Sequence, residues 1–357
     1  MDRKDGACLA ITVLVVDDSA FMRQLIKQML ESDQEIQVVG VATDGVDALK
    51  KVDFFQPQVI TLDLEMPRMD GLLFLAELMK KQPLPVVVVS SLAVEGGEKT
   101  FKALELGAVD FITKPVSKPS KDLWQIQDEL IQKVRAAAQV RPELIKKLPS
   151  STGVESAFFS EEFTTGIVAI GASTGGPRAL HYILANLPAD FPWGIIIAQH
   201  MPREFVSGFA SRLNSLSPLT VKVAEGGEEI LPGRVLVAPP GLQTGVVKRG
   251  NKAIIKLEKS DALYRPSVDY LFSSVADTYK DQSIGALLTG MGADGAYGLK
   301  IMREAGSITI AEAEETCVIY GMPRAAVEIG AVIYKLPFTE IPDRICSLLK
   351  DNWLRKK

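Results

Sequence analysis

The sequence predicts an α/β protein with two domains, each built around a mainly parallel β-sheet. The chain has 357 residues, which exceeds the usual size of one domain and suggests two hydrophobic cores. In both halves, short apolar runs alternate with amphipathic stretches, a pattern typical of buried parallel strands connected by helices. Between the halves, residues 141–164 mix proline, serine, glycine and charged residues without apolar periodicity, which indicates a linker.

The first half contains five predicted strand–helix units. Each strand is a run of apolar, often β-branched residues, and each helix has apolar residues at helical spacing. The strands are ITVLVV, QVVGVAT, QVITL, PVVVVS and AVDFIT, and the helices lie near residues 19–31, from 45, from 71, near 98–106 and from 123. Because every strand is followed by a helix, we predict a parallel sheet covered on both faces.

The second half continues this alternation and adds one hairpin. Its predicted strands are IVAI, GIIIAQ, LTVKVA, RVLVAP, GALLTG, SITIAE and AVIYKL, with helices near residues 177–187, 267–279, 296–305 and 321–329. The segments TGVVKRG and AIIKLE, near residues 244–258, meet at a glycine-containing turn, which predicts an antiparallel hairpin. We therefore predict a mainly parallel sheet with one antiparallel hairpin.

Charge, hydropathy and cysteine content disfavour several classes of protein. Forty basic and 44 acidic residues give a net charge of −4, which does not favour binding to nucleic acid or to an anionic membrane. The longest apolar run is far shorter than the roughly 20 residues that cross a bilayer, and the apolar run after Arg3 and Lys4 ends in two aspartates instead of a cleavage site. The three cysteines lack disulfide or zinc spacing. We expect a cytoplasmic protein with no membrane insertion and no nucleic-acid partner.

Charged and hydroxyl side chains follow the predicted strands of the first half, at positions that meet at one edge of a parallel sheet. They are Asp17, Asp18, Asp63, Ser90 and Lys114. Neighbouring carboxylates repel one another unless a cation lies among them, and their oxygens suit Mg²⁺. Together with a hydroxyl and an ammonium group, they predict a site that accepts a phosphoryl group. For Asp17 and Asp18 alone, helix capping explains the residues equally well.

Four motifs in this half, VVDDSAFMR, TLDLEMPRMDG, VVSS and FITKP, closely resemble the receiver domain of bacterial two-component response regulators over residues 10–140. The resemblance implies a flavodoxin-like (βα)5 fold in which Asp63 is phosphorylated. It also implies that Asp18, Asp63 and the backbone carbonyl of Glu65 bind Mg²⁺, and that Asp17 supports the metal.

The same resemblance assigns two further residues to the phosphoryl group. Lys114 neutralises its oxygens and Ser90 bonds the resulting phosphate, so that phosphorylation biases the Ser90 region and its flanking helix. The family also implies a cis peptide bond between Lys114 and Pro115, which an X-Pro bond permits at modest cost. A receiver is a switch, so the second half is expected to carry the activity that is switched.

The segment IVAIGASTGGPRAL, residues 167–180, passes from a predicted strand through glycines to a helix start. The pattern Gly171-x-Ser173-x-Gly175 predicts either a nucleophile elbow or a dinucleotide-binding turn. A dinucleotide site would need glycine in place of Ser173 and an acidic residue about twenty positions later, at the end of a second strand; that strand ends at His200 instead. The nucleophile elbow is therefore the better interpretation.

A nucleophilic serine needs a base and a group that orients the base. Of the two histidines, His181 lies inside a predicted helix and is explained by packing, whereas His200 ends a strand at the same sheet edge as Ser173. Asp294, in the glycine-rich loop after GALLTG, is the candidate third member. Taken alone, Asp294 is equally well explained as the cap of the following helix. The order Ser, His, Asp differs from that of α/β-hydrolases, which predicts a triad on a different sheet.

Five motifs of the second half point to one family. IGASTGGPRAL, QHMPREFVSGFASRL, YRPSVDYLFSSVA, LLTGMGADGAYGL and ETCVIYGMPRAA strongly resemble the catalytic domain of the chemotaxis protein-glutamate methylesterases, the CheB family, over residues 165–350. The resemblance implies a doubly wound, mainly parallel α/β domain with Ser173 as nucleophile, His200 as general base and Asp294 as its orienting partner. It also implies the backbone N–H of Met291 as oxyanion donor, Thr174 beside the nucleophile, and no metal in this site.

An amino-terminal receiver joined to this catalytic domain is the architecture of that family. The resemblance implies a methylesterase and glutamine deamidase that acts on methyl-accepting chemotaxis receptors. It also implies that the receiver inhibits catalysis until the chemotaxis histidine kinase phosphorylates Asp63. A receiver-controlled serine hydrolase with another ester or amide substrate would use the same triad. A DNA-binding regulator would need a basic helix-turn-helix module, and a catalytically silent binding module would be unaffected by the loss of Ser173.

Two positions depart from the family pattern. Family members often carry histidine where this chain has Leu242 and Gln243, and many carry glutamine near Glu312. Neither position is expected to touch the triad. We expect both to affect substrate fit and turnover.

Overall fold

The computed structural model of the chain describes residues 10–90, 94–114, 121–140, 143, 166–250 and 252–356. The chain divides into two compact units, Met1–Lys147 and Leu148–Lys357. The division falls inside the predicted linker 141–164, most of which lies outside the described residues. The limits 10–140 and 165–350 for the two domains stay predictions. Among the described residues, no helix combines the length and the apolar character needed to cross a bilayer.

Five strands and five helices alternate in the first unit. They are β1 (Ile11–Val16), α1 (Ala20–Glu31), β2 (Ile36–Ala42), α2 (Gly45–Phe55), β3 (Val59–Leu62), α3 (Gly71–Lys81), β4 (Val86–Ser90), α4 (Val94–Leu106), β5 (Asp110–Thr113) and α5 (Lys121–Ala138). The strands form one parallel sheet with the order β2-β1-β3-β4-β5. This confirms the predicted (βα)5 fold. Helix α4 begins before its predicted start near residue 98, because the helix accommodates Gly96 and Gly97 despite their low helix propensity.

The strand order places the ends of β1 and β3 side by side. From β1 the chain passes to β2 at one edge of the sheet, and then to β3, β4 and β5 on the other side of β1. The strand order therefore reverses between β1 and β3, which is where open α/β sheets form their ligand-binding crevice. Apolar side chains of both strands, including Val15 and Ile60, are fully buried, and each contributes about 1.5–3 kcal/mol. This burial fixes the register that brings Asp17 and Asp63 to one edge, where Asp63 N donates to Val16 O (2.9 Å).

The second unit contains nine strands and six α-helices within the described residues. They are β6 (Ile167–Ala172), α6 (Gly176–Ala185), β7 (Gly194–Gln199), α7 (Arg203–Leu216), β8 (Thr220–Val223), β9 (Arg234–Val237), β10 (Gln243–Arg249), β11 (Lys252–Glu258), α8 (Val268–Tyr279), β12 (Ser283–Leu287), α9 (Ala296–Glu304), β13 (Ile308–Glu312), α10 (Met322–Glu328), β14 (Tyr334–Leu336) and α11 (Ile341–Lys356). Seven strands form a sheet with the order β14-β13-β12-β6-β7-β9-β8, in which every pairing is parallel. Strands β10 and β11 form a separate antiparallel pair, which confirms the predicted hairpin.

Two helices of this unit were not predicted from the sequence. Helix α7 buries Phe205, Phe209 and Leu213, which follow one another at four-residue spacing. A glycine and several serines within α7 weaken its helix propensity, so packing of this apolar stripe decides the structure. Helix α11 buries Ile341 and Ile345 at the same spacing. In both helices, the four-residue spacing of the apolar residues would have predicted the helix from the sequence.

The order of the second sheet also reverses, at β6. From β6 the sheet continues through β7 on one side and through β12 on the other. All residues of β6 and β7 are buried, so the central strands are covered on both faces. The loops that follow β6, β7 and β12 therefore meet at one crevice, the position at which open α/β sheets bind ligands.

Candidate active site

Ser173 lies directly after β6, in a sharp turn that leads into α6. Its backbone N–H donates to Thr289 O (3.0 Å), and Gly176 N donates to Ser173 O (2.8 Å). Gly175 has φ +80°, in the left-handed region that favours glycine, and a Cβ there would lie 2.5 Å from Cβ of Val318. The turn therefore requires glycine at this position, and it holds Ser173 at the crevice.

Gln199, the last residue of β7, connects the segments of Ser173 and His200. Its Nε2 donates to Ser173 O (2.9 Å) and to His200 O (2.8 Å). Since one amide nitrogen reaches both carbonyls, the two segments are adjacent at the sheet edge. The sequence reasoning missed Gln199, although a polar residue at the end of the apolar run GIIIA was an available signal.

His200 and Asp294 form a direct side-chain pair. Nε2 of His200 lies 2.9 Å from Oδ2 of Asp294. Burial opposes ionisation of this carboxyl, yet hydrogen bonds from His200 and from two amides at the start of α8 outweigh it and hold the pKa of Asp294 below its usual value. An ionised carboxylate only accepts hydrogen bonds, so Nε2 carries the proton and Nδ1 is the ring nitrogen left for a second partner.

The Asp294 carboxylate is fixed by the amino-terminal end of α8. Oδ2 accepts from Val268 N (2.8 Å), and Oδ1 accepts from Asp269 N (3.0 Å) and from Ser267 Oγ (2.8 Å). The alternative that Asp294 caps the helix after it does not hold, because the N-cap of α9 is Gly295. Helix N-termini favour negative charge, so α8 orients the carboxylate and keeps it ionised.

The loop after β12 lies against Ser173, the predicted nucleophile. A Cβ on Gly290 would lie 2.7 Å from Cβ of Ser173, so only glycine permits this approach. Met291 follows with its side chain partly exposed, and Gly292 has φ +84°. Thr174, the other residue predicted beside the nucleophile, is buried, and its carbonyl accepts from Thr289 Oγ1 (3.0 Å). Thr174 thus adjoins Ser173 in the chain, and Met291 follows the glycine that packs against Ser173.

His181, the histidine assigned to packing, lies within α6, where it is partly buried. His181 lies in the middle of the helix that follows Ser173, whereas His200 directly follows β7 at the crevice.

The acidic residues of the first unit converge as the sequence predicts. One carboxylate oxygen from each of Asp17, Asp18 and Asp63 lies within 4.8 Å of the others. Asp17 and Asp63 are buried and Asp18 is exposed. Lys114 Nζ lies 2.6 Å from Oδ2 of Asp63 and 3.2 Å from Oδ2 of Asp17. Three carboxylates and one ammonium group leave net negative charge, and a set of hard oxygen donors fits Mg²⁺.

Burial dominates the ionisation of this cluster. It raises the pKa of Asp17 and of Asp63 above the usual value, and the hydrogen bonds and charge of Lys114 offset only part of the effect. The pKa of Lys114 is also raised, since its two carboxylate partners outweigh burial. A bound cation would remove the mutual repulsion of the carboxylates.

The remaining residues of this site surround Asp63. Glu65 N donates to Oδ1 of Asp63 (3.1 Å), while its side chain pairs with Lys99 (3.3 Å). Lys114 N donates to Ser90 O (2.7 Å), which joins the ends of β4 and β5. Ser90 Oγ accepts from Thr100 Oγ1 of α4 (2.7 Å). The predicted cis bond after Lys114 lies outside the described residues, since Pro115 is not among them.

Comparison with known proteins identifies the family. The family model described as CheB methylesterase matches residues 168–345, and the response regulator receiver domain matches residues 13–123. A protein-glutamate methylesterase/protein-glutamine glutaminase of Symbiobacterium thermophilum is 46% identical and aligns over 94% of this chain and 96% of its own length. The corresponding Thermotoga maritima protein is 44% identical over 95% and 98%. The chain belongs to the CheB methylesterase family.

The second unit also resembles a solved CheB structure. The crystal structure of the Thermotoga maritima CheB methylesterase catalytic domain is 44% identical, with a TM-score of 0.51, and aligns over 52% of this chain and 99% of that one. The CheB family membership and the fold are thus confirmed, including the receiver followed by a methylesterase domain. A receiver implies a kinase as phosphodonor.

Glu312, at one of the two positions expected to depart from the CheB pattern, is connected to Ser173 through one residue. It is fully buried at the end of β13, where Oε2 accepts from Thr289 N (2.8 Å) and Oε1 from Thr316 Oγ1 (3.1 Å). Thr289 in turn accepts from Ser173 N. Burial raises the pKa of Glu312 to about 7, against these hydrogen bonds and the charge of Arg178.

Gln243, at the other position expected to depart from the pattern, is buried at the start of β10. Its side chain donates to Tyr264 O and accepts from Ser267 N (2.8 Å each), and these bonds reach none of the predicted triad. Tyr264 stacks on His200 and Ser267 binds Asp294. In this CheB-family chain, Glu312 and Gln243 therefore each hydrogen-bond to residues that contact the predicted triad. No local sequence signal identifies Tyr264 or Ser267.

Proposed function

We propose that the chain is a phosphorylation-activated methylesterase and glutamine deamidase that acts on glutamyl methyl esters and glutamines of methyl-accepting chemotaxis receptors. The observation that carries the proposal is the His200–Asp294 pair beside the elbow of Ser173 in a chain of the CheB family. We place the protein in the cytoplasm, where the receptor domains that carry these side chains would be its substrate.

Ser173 is the proposed nucleophile. Its Oγ attacks the γ-carbonyl of the methylated glutamate, and Nδ1 of His200 takes the proton, because Nε2 is bound to Asp294. General base catalysis of this kind contributes about 10²–10⁴ in rate. His200 then donates the proton to the departing methoxide, and methanol leaves. A water molecule, deprotonated by His200, releases the glutamate from the acyl-enzyme.

The negative charge of the tetrahedral intermediate is assigned to the loop after β12. The backbone N–H of Met291 is the proposed donor, with Thr174 on the other side of Ser173. The support is the close approach of Gly290 to Ser173 and the hydrogen bonds that join Thr289 to the elbow. Donors held in place before the reaction stabilise a developing oxyanion most effectively. The reaction needs no metal in this site.

The receiver is the proposed switch. Asp18, Asp63 and the backbone carbonyl of Glu65 would hold Mg²⁺, with Asp17 as support, and the metal would neutralise phosphoryl oxygens. A chemotaxis histidine kinase is the proposed phosphodonor, and the carboxylate of Asp63 accepts the phosphoryl group. Lys114 pairs with that group and Ser90 hydrogen-bonds it. Before phosphorylation the receiver inhibits the catalytic domain, and phosphorylation relieves the inhibition.

The test is methanol release from methyl-esterified cytoplasmic fragments of chemotaxis receptors, with and without acetyl phosphate and Mg²⁺. We expect release that rises with the phosphodonor, disappears in Ser173→Ala and loses its phosphodonor response in Asp63→Asn. Ser215→Ala, an exposed serine of α7, is the matched control. Persistent release by Ser173→Ala would contradict the mechanism. Reaction of Ser173 with a serine-directed ester probe, without release from any receptor, would indicate a hydrolase with another substrate.

A further inference from the structure

The loop between β11 and α8 lays an aromatic ring on the proposed base. The rings of Tyr264 and His200 are stacked, with centroids 4.7 Å apart and planes 5° from parallel. Tyr264 is 37% exposed, so one face of the phenol covers the imidazole while part of the side chain remains at the surface. Its hydroxyl extends toward Gly292, since a Cβ on that glycine would lie 3.4 Å from the Tyr264 oxygen. Tyr264 thus spans from the base to the loop after β12.

Stacking supplies a restraint that the hydrogen bond to Asp294 does not. The bond at Nε2 fixes one atom of the imidazole, but the ring can still rotate about an axis through that atom. A flat contact against one face fixes the plane of the ring. Together the two contacts determine where Nδ1 points, and the geometry of a proton transfer to or from Ser173 depends on that direction.

Gln243 holds Tyr264 in this position. Its Nε2 donates to Tyr264 O, and its Oε1 accepts from Ser267 N. The side chain is 3% exposed, so loss of either bond would leave a buried polar group unsatisfied. Ser267 donates from Oγ to Asp294. One buried amide therefore anchors both ends of a short segment that contacts His200 at one end and Asp294 at the other.

We propose that Tyr264 is a positioning residue for His200, and that Gln243 fixes Tyr264 in its stacked position. The inference rests on the proposed function of His200 as the base for Ser173. The role of Tyr264 is to set the direction in which Nδ1 of His200 points, and Tyr264 does not contact the reacting atoms. The aromatic ring, and not the hydroxyl, is the part that acts.

The first test measures the rate at which Ser173 reacts with a fluorophosphonate probe in the full-length protein. We expect Tyr264→Ala and Tyr264→Leu to slow the reaction roughly ten- to hundredfold, since small misplacements of a catalytic group have effects of this size. Tyr264→Phe keeps the ring and should stay within about twofold of the native rate. Leu263→Ala is the control, because Leu263 is the adjacent residue and is 84% exposed. Gln243→Ala should also slow the reaction, as Tyr264→Ala does.

The second test observes the imidazole of His200 directly by NMR. The chain has two histidines, so ¹⁵N-histidine NMR gives two imidazoles, which a His181→Gln variant assigns. We expect native His200 in the Nε2–H tautomer that Asp294 fixes. The ¹⁵N relaxation of its imidazole should be unchanged in Tyr264→Phe and should show a more mobile ring in Tyr264→Ala and Gln243→Ala. A purely structural role for Tyr264 would alter stability without changing the mobility of the His200 ring.

The outcomes separate this proposal from the proposed function. Unchanged mobility of the His200 ring and an unchanged labelling rate in Tyr264→Ala would overturn the positioning role. Equal losses in Tyr264→Ala and Tyr264→Phe would also overturn it, because they would assign the effect to the hydroxyl. If receptors release no methanol but the labelling rate and the mobility of the His200 ring depend on the aromatic ring at 264, the positioning role stands and the methylesterase substrate is wrong. If Ser173 does not react with the probe, the NMR comparison alone decides.

Discussion

Oδ2 of Asp294 and Nε2 of His200 lie 2.9 Å apart, and every other hydrogen bond described for this carboxylate comes from a donor at the start of α8. An asparagine at 294 would direct its NH₂ group at one of these donors in either orientation. We expect Asp294→Asn to lose about 10³–10⁴ in kcat, a loss typical of known Ser-His-Asp triads. The measurement is the rate of methanol release under phosphodonor, compared with kcat of the native protein.

Asp281→Asn is the control for Asp294→Asn, because it makes the same change at an exposed position of the same unit. It should retain native kcat. A kcat for Asp294→Asn within a factor of about three of the native value would rule out the orienting role.

Gly175 provides a second test of the elbow. Alanine at φ +80° costs about 1–2 kcal/mol in backbone energy. Its Cβ would also lie 2.5 Å from Cβ of Val318, which adds about 1–3 kcal/mol of overpacking or displaces Ser173. We expect Gly175→Ala to lower the free energy of unfolding and to slow fluorophosphonate labelling of Ser173 by about tenfold or more.

Gly233→Ala separates the two costs of Gly175→Ala. Gly233 also has a left-handed backbone, with φ +69°, but nothing lies within 4 Å of a Cβ there. It should lower stability by the backbone cost alone and leave the labelling rate unchanged. Equal effects of the two substitutions on labelling would contradict the steric argument.

The sequence predicted the residues that follow strand ends, and the structure brings those residues together. Apolar runs fix where each parallel strand stops, so Ser173, His200 and Asp63 could be located from local patterns alone. Tyr264 could not, because its position depends on how a loop folds back onto β7 and β10. Gln243 was noted as a departure from the family pattern, but its bond to Tyr264 depends on the same loop. Helix α7 was missed for a different reason, since its apolar stripe overcomes the low helix propensity of Gly208.

The acidic cluster predicts a specific metal dependence. Asp18 is the exposed member of the three carboxylates whose oxygens lie within 4.8 Å of one another, so its removal should disturb the fold least. We expect Asp18→Asn to weaken Mg²⁺ binding roughly tenfold or more, because affinity for hard cations follows ligand charge. Isothermal titration of the full-length protein with MgCl₂ measures the change.

Asp53→Asn is the charge-matched control for Asp18→Asn. Asp53 pairs with Lys81 (2.7 Å) on the surface of the same unit, outside the acidic cluster. It should bind Mg²⁺ with native affinity. Equal weakening in both variants would assign the effect to overall charge and would leave the cluster without a metal role.

Glu312 predicts a pH dependence of stability. Burial raises the pKa of Glu312 to about 7 in the folded chain, against a usual value of 4.5. Between these two pH values the folded state keeps a proton that the unfolded state has lost, so stability falls as pH rises through this window. The stability is fully present below about pH 4.5, and about 3 kcal/mol of it is lost by about pH 7.

Glu312→Gln isolates this contribution, because the amide does not ionise. Its oxygen keeps the acceptor for Thr289 N, and its NH₂ group faces Thr316 Oγ1, which donates to Glu312 in the native chain. Asp17, Asp63 and the other carboxyl groups titrate equally in both proteins and cancel in the difference. We expect the variant to gain stability relative to the native chain as pH rises from 4.5 to 7. Hydrogen exchange of peptides from β12 and β13 under increasing urea measures the second unit alone. A difference that is constant with pH would show that folding does not shift the pKa of Glu312, and it would contradict this prediction.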